Sequence, residues 1–328
     1  MTSKLMLASL GLALALYSTR TLAQLAPLAT TQLHDIIAPD AVPKVLVEST
    51  NFQFCEGPVW DELHQRLLFS DVAGGKLYSW SENVGLAVVL DQQALPTGNK
   101  FLPNGKLLQC SGGQRALVSI DLETGKQEIL LDQYNGHHFN SPNDLAIRND
   151  GTIWFSDPDH GLGFTGQQPE TDIKGVYRYD PQRQSLELVN ATLYQPNGLA
   201  FSPQQDILYI GVAPNASQVA AAPNEVERSV WAFDITPGKT LKNPRQIIKL
   251  APTSWGVDGL KTDRQGNLYL SSGEGVRIYQ ADGTELGLIP TEHEVVTMAF
   301  GGPDYQTLFI VCHQAIYAVD LQVAGLMN

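Results

Sequence analysis

The chain is short of the residues that staple or neutralise a small protein. Cysteine occurs three times in 328 residues, at Cys55, Cys110 and Cys312, with no CxxC and no companion at zinc-site spacing. A disulfide framework and a structural zinc site are thereby disfavoured; buried free thiols, with one long-range disulfide as the alternative, remain. Basic residues are scarce as well, 21 Lys and Arg against 34 Asp and Glu, for a formal net charge of −13 and no basic run. Nucleic acid and anionic membrane are therefore poor partners. Only 17% of residues are charged while 43% are hydrophobic, so global disorder is excluded and a large core is available.

Long apolar runs are missing after the first two dozen residues. Before that, Lys4, the apolar stretch from Leu5 to Tyr17 and the tripeptide Thr21-Leu22-Ala23 form the layout of a secretory signal cleaved after Ala23. About 13 apolar residues fall short of the roughly 20 that span a bilayer. The expected organisation is a signal peptide over 1–23, an N-terminal extension over 24–44 and one folded unit over 45–328, exported to a periplasm or secreted and free of the membrane once cleaved. Two sequons, at Asn190 and Asn215, would carry glycans only in a eukaryotic secretory pathway.

Helical periodicity is also nearly absent. Short runs rich in Leu, Ile, Tyr, Phe and Trp, closed by Gly, Asp, Asn or Pro, indicate an all-β chain. Six strand pairs are predicted: 67–70 with 76–80, 106–110 with 116–121, 152–156 with 176–179, 207–211 with 230–234, 267–270 with 276–279, and 307–311 with 315–320. Their first members begin 39 to 60 residues apart, the size of a propeller blade. A six-bladed β-propeller is the expected fold; a pair of β-sandwiches would supply short strands without six in-phase units.

Sliding the segment from Asp258 to Leu270 along the repeats places Glu56, Thr97, Asn143, Asn197, Asp258 and Thr297 at one equivalent position, the start of the innermost strands. In a propeller these positions surround the central channel, so residues two hundred positions apart meet at one mouth. Glu56 and Asp258 bring carboxylates, Asn143 and Asn197 amide oxygens. An all-oxygen set selects a hard divalent cation, calcium first, with magnesium, manganese or zinc as alternatives. The competing reading is that these residues line a water channel or satisfy backbone groups; two buried carboxylates without a cation would then be costly.

The same residues carry a family resemblance. Glu56-Gly57-Pro58-Val59-Trp60, Asn140-Ser141-Pro142-Asn143-Asp144-Leu145, Trp154-Phe155-Ser156-Asp157-Pro158, Pro196-Asn197-Gly198-Leu199-Ala200-Phe201, Asp258-Gly259 and Ala299-Phe300-Gly301-Gly302-Pro303-Asp304 resemble the gluconolactonase, regucalcin and senescence-marker family over about residues 45 to 321. The resemblance implies a six-bladed propeller holding one catalytic divalent cation on Glu56, Asn143, Asn197 and Asp258, with sugar-lactone hydrolysis as the activity and Asp258 as general base. Related propellers hydrolyse phosphotriesters, so a phosphotriesterase or arylesterase is the alternative, and a non-catalytic metal-containing binding propeller another. Lys261 stands where the fluorophosphatase-like members carry an acid for a second calcium, so a single metal is expected.

Asn140 and Asp144, flanking Asn143, are expected to orient substrate or support the ligands, or to cap turns. His160 and Thr297 complete the candidate substrate-binding set. His137, His138 and His293 lie in loops that could reach the mouth, although a solvated loop histidine is the commoner case. Gly161-Leu162-Gly163-Phe164-Thr165-Gly166 matches GxGxxG but is followed by a polar Gln167-Gln168-Pro169 loop instead of a helix, and no GxSxG elbow occurs, which disfavours a phosphate loop and a serine hydrolase.

Overall fold

The computed structural model describes residues 33–326 apart from 223 and 253; the expected signal peptide and the first part of the N-terminal extension lie outside the described residues. Six antiparallel four-stranded sheets account for nearly all regular structure. The first blade runs outward as Cys55–Asp61, Arg66–Asp71, Lys76–Ser81 and Gly85–Leu90. Innermost strands of the next five are Pro96–Phe101, Leu145–Ile147, Pro196–Phe201, Leu260–Thr262 and Val295–Gly301. The six predicted pairs are the second and third strands of each blade, the ones with the densest apolar runs.

Burial follows the radial order. Inner and second strands are buried on both faces, as in Arg66–Asp71 and Ile153–Asp157, so they read as continuous apolar runs. Fourth strands such as Gln127–Leu131 and Leu241–Lys249 are largely exposed and therefore lack the strong pattern that would have revealed them. The core divides into six clusters, one at each blade-to-blade interface. Leu68 and Leu77 meet Val118 and Ile120 between blades one and two, while Trp154 packs edge-on to Phe201 between blades three and four. Cys55, Cys110 and Cys312 are buried free thiols within this core, and burial pushes each of them well above the usual thiol range.

The ring is closed by chain ends. Lys44–Glu48 is the outer strand of the sixth blade and pairs antiparallel with Ala315–Asp320. Leu33, Ile36 and Ile37 enter the core between blades five and six beside Leu321 and Val323. The two short helices, Leu162–Thr165 and Ala216–Ala221, both fall in long loops between second and third strands. The first of them is the GxGxxG stretch itself: a single turn ended by Gly166 in the left-handed region, φ 71°.

Candidate active site

At the predicted ring position the strand ladder is interrupted in every blade. Register shifts fall between Glu56 and Val59, Pro96 and Asn99, Pro196 and Leu199, and Val295 and Thr297. In blades three and five the innermost strand begins only at Leu145 and Leu260, just past Asn143 and Asp258. Bulged or unpaired backbone can re-aim a side chain that a regular ladder would fix. The six positions thus share a local geometry as well as a sequence phase.

They also touch in sequence around the axis. A Cβ on Gly57 would lie 1.9 Å from the Thr97 carbonyl oxygen, on Gly98 2.7 Å from that of Asn143, on Gly198 2.3 Å from that of Asp258, and on Gly259 2.4 Å from Thr297 Cα. The residue after each of these ring positions abuts the ring residue of the next blade. Gly57 has the further constraint of φ +57°. Gly57→Ala combines left-handed strain with a backbone clash and is expected to cost about 2–4 kcal/mol; an unchanged urea midpoint would show that the close approach is dispensable.

A repeated Phe-Ser-Asp supports two of the four donors. Asp71 accepts N–H bonds from Gln53 and Phe54, and Asp157 accepts them from Asn140 and Ser141 at 2.8 Å each. Each carboxylate therefore holds the loop that leads into Glu56 or Asn143. The serines act one step closer to the axis. Ser70 Oγ donates to the Thr97 carbonyl, and the Asp144 amide donates to Ser156 Oγ. In blade five, Ser271 Oγ accepts from the amides of Asp258 and Gly259. The paired motif was visible as 69–71 and 155–157, but only the structure shows what it holds.

Electrostatically the ring is overloaded with negative charge. Burial, and then the Asp258 and Asp144 carboxylates, push the Glu56 carboxyl well above the usual range, with Lys261 drawing it part-way back. Burial likewise raises Asp258 to about 7, with Asp144 adding to the rise and a hydrogen bond from the Asn197 side chain opposing it. The oxygens Asn143 Oδ1 and Asn197 Oδ1 are buried with no hydrogen-bond partner. Two mutually repelling carboxyls beside two orphaned amide oxygens are what a hard cation would satisfy, so this donor set fits one divalent ion. Among the described residues no group of three or more His, Cys, Asp and Glu comes together for a metal; the ring instead offers two carboxylates and two amides.

These residues line a cavity of about 80 Å³ that contains Glu56, Asn143, Asn197 and Asp258 together with Thr97 and His160. Thr97 is spent on structure, since its hydroxyl is shared between the carbonyls of Cys110 and Pro142. His160 Nε2 lies 2.9 Å from the Ala213 carbonyl. A carbonyl only accepts, so Nε2 carries the hydrogen and Nδ1 is an acceptor. Burial lowers the His160 pKa, which keeps the ring neutral.

The other expected residues sit apart from the cavity wall. Asn140 donates through Nδ2 to the Ile173 carbonyl at 2.7 Å, with its own Oδ1 buried and unpartnered. Asp144 accepts from its neighbour Leu145 and from Leu199 of the next blade, and meets Lys261 Nζ at 3.5 Å. The Thr297 side chain packs against Gly259. His137 and His138 are exposed on a two-residue ribbon, and His293 is engaged by Tyr317 and Glu48. The sequence reading missed the apolar half of the wall, Phe54, Val72, Leu95 and Phe164. Phe54 and Leu95 each lie two residues before a ring position, a phase that the repeat alignment contained.

Residues 54–314 match the model of the SMP-30/gluconolactonase/LRE-like region. The chain is 31% identical over 311 residues to a gluconolactonase of Zymomonas mobilis, covering 87% of this chain and 83% of that protein. To a pentonolactonase of Haloferax volcanii it is 27% identical, over 80% of this chain and 83% of that one. Among solved structures, a gluconolactonase from Xanthomonas campestris superposes with a TM-score of 0.80 at 32% identity, covering 89% of this chain and 93% of the other. A calcium-binding protein, regucalcin, from Agrobacterium tumefaciens shares the fold, with a TM-score of 0.71 at 18% identity and coverage of 88% and 96%.

Proposed function

Because the chain belongs to the SMP-30/gluconolactonase/LRE-like family, we propose that it is a lactonase opening a sugar lactone with one divalent cation, calcium first, held by Glu56, Asn143, Asn197 and Asp258. Relatives named gluconolactonase, lactonohydrolase and pentonolactonase support the reaction class. The observation that carries the cation is the pair of buried amide oxygens without partners beside two carboxyls whose proton affinity burial has raised.

Bound there, the cation would polarise the lactone carbonyl and stabilise the oxyanion that develops on it. Asp258, held by the Asn197 amide, takes a proton from the attacking water as its oxygen bonds to the carbonyl carbon. When the ring C–O bond breaks, the same carboxyl returns the proton to the departing oxygen, and the product is an open hydroxy acid. His160, neutral with its hydrogen on Nε2, offers Nδ1 to a substrate hydroxyl. Phe54, Val72, Leu95 and Phe164 cover the less polar face of the lactone and exclude bulk water.

The test is an acid-release assay of the mature protein on a panel of aldonolactones, esters and phosphotriesters, with and without EDTA. Lactone turnover that EDTA abolishes and calcium restores is expected. Turnover indifferent to EDTA would overturn the cation, and preferred phosphotriester turnover would overturn the substrate class.

A further inference from the structure

The large hydrophobic side chains left exposed among the described residues sort by type and place. Aliphatic ones, such as Leu63, Leu86 and Ile129, stand on hairpin turns and on or beside outer strands. The three aromatic ones, Phe164 at 54% exposure, Tyr194 at 42% and Trp255 at 49%, all stand at the mouth. Phe164 lines the cavity that holds the ring donors. Tyr194 and Trp255 each lie three residues before a ring position, Asn197 and Asp258. The same position in blade six is Glu294, part-buried and near enough for Asp258 to feel its charge. Blades one to three carry Gln53, Ala94 and Asn140 there, so only blades four and five raise an aromatic ring at this phase.

The loops that bear these rings are tied to one another beside His160. Gln195, next to Tyr194, donates through Nε2 to Asp159 Oδ1 at 2.6 Å, and Asn215 Nδ2 donates to the same oxygen at 2.9 Å. Asp159 and His160 open the loop that carries Phe164. On the other side the Val257 amide donates to the Val212 carbonyl, and a Cβ on Gly256, next to Trp255, would lie 2.6 Å from Ala213 Cα. The Ala213 carbonyl is also the partner of His160. A platform held in this way loses little freedom when a ligand settles on it. An aromatic face is negative and attracts the polarised C–H face of a sugar, while a carboxylate at its border accepts the sugar's edge hydroxyls. An acyl chain would use the rings but not Glu294. We propose that Tyr194, Trp255 and Glu294 form a subsite for a second sugar, so that the substrate is an aldonolactone carrying a glycosyl group: its lactone reaches the ring donors and its glycosyl unit rests on the rim of blades four to six. The lactone half of this substrate rests on the lactonase reading above, while the rim can be probed with a sugar alone.

Acid release in calcium is compared for glucono-δ-lactone, cellobiono-δ-lactone, maltobiono-δ-lactone and the alkyl lactone δ-decalactone. At least one disaccharide lactone is expected to exceed gluconolactone in kcat/KM by about tenfold, chiefly through KM, and Trp255→Ala is expected to remove most of that ratio. Neither disaccharide lactone being preferred, or a preference untouched in a Tyr194→Ala, Trp255→Ala double variant, overturns the subsite. Preference for δ-decalactone that the same variant removes overturns the sugar and assigns the rim to an acyl chain. If no lactone is opened, the lactonase reading fails on its own, and calorimetry with methyl β-cellobioside and methyl β-maltoside decides the rim. Binding of either glycoside that Trp255→Ala abolishes supports the subsite; no binding of either up to its solubility limit rejects it.

Discussion

Asp258→Asn is expected to lower kcat/KM on the best lactone by about 10³, within the range of roughly 10² to 10⁴ that a general base contributes. Asparagine keeps the shape and one coordinating oxygen but cannot take the proton from water. The carboxyl it replaces is raised to about 7 in the metal-free site, and a bound cation would draw that value down by favouring the ionised form. The proton-accepting form would then persist through neutral pH. A calcium titration of the variant separates the two roles of this side chain. Activity lost with calcium binding largely kept assigns the base, whereas activity within tenfold of the parent protein removes Asp258 from that role.

Glu56→Gln is expected to act in opposite directions on the metal-free and calcium-loaded protein. Glu56 and Asp258 both have folded pKa values above their ordinary ones. Groups shifted upward contribute stability that is full below the ordinary carboxylate pKa, near 4, and is lost as pH rises through the folded value. The metal-free protein should therefore weaken as pH rises from about 4 through the Asp258 value of about 7, and calcium should restore most at pH 8, where it displaces the fewest protons. Removing the Glu56 charge relieves the repulsion, so the metal-free midpoint at pH 8 should rise by roughly 2–5 °C while the calcium-induced increase disappears. Thermal scans at pH 5 and 8, with EDTA or calcium, read both effects. A variant with the parent's pH slope and calcium response would sink the account of the ring.

Much of the architecture was legible because blades repeat locally. The second and third strands of each blade are buried on both faces and announced themselves as apolar runs, and the shared phase of Glu56, Asn143, Asn197 and Asp258 could be read by alignment alone. What stayed hidden depends on distance or on weak patterning. Leu241–Lys249, with Pro244 and a run of exposed residues, resembles a loop. Lys44–Glu48 belongs to the sixth blade only through a partner at the other end of the described chain.

That closure has a consequence for the order of synthesis. Lys44–Glu48 leaves the ribosome before any of the blade strands that follow it, yet the strand that pairs with it, Ala315–Asp320, is made after every other strand of the six blades. Until then its backbone donors and acceptors are an open edge, available to any neighbouring chain, and the pairing that ends this exposure spans almost the whole sequence, the slowest kind to form. Glu56, next to the seam, shares its fate. A nascent chain can complete five blades and still lack a finished mouth, so cation binding and turnover should appear together, late, with the capture of that first strand.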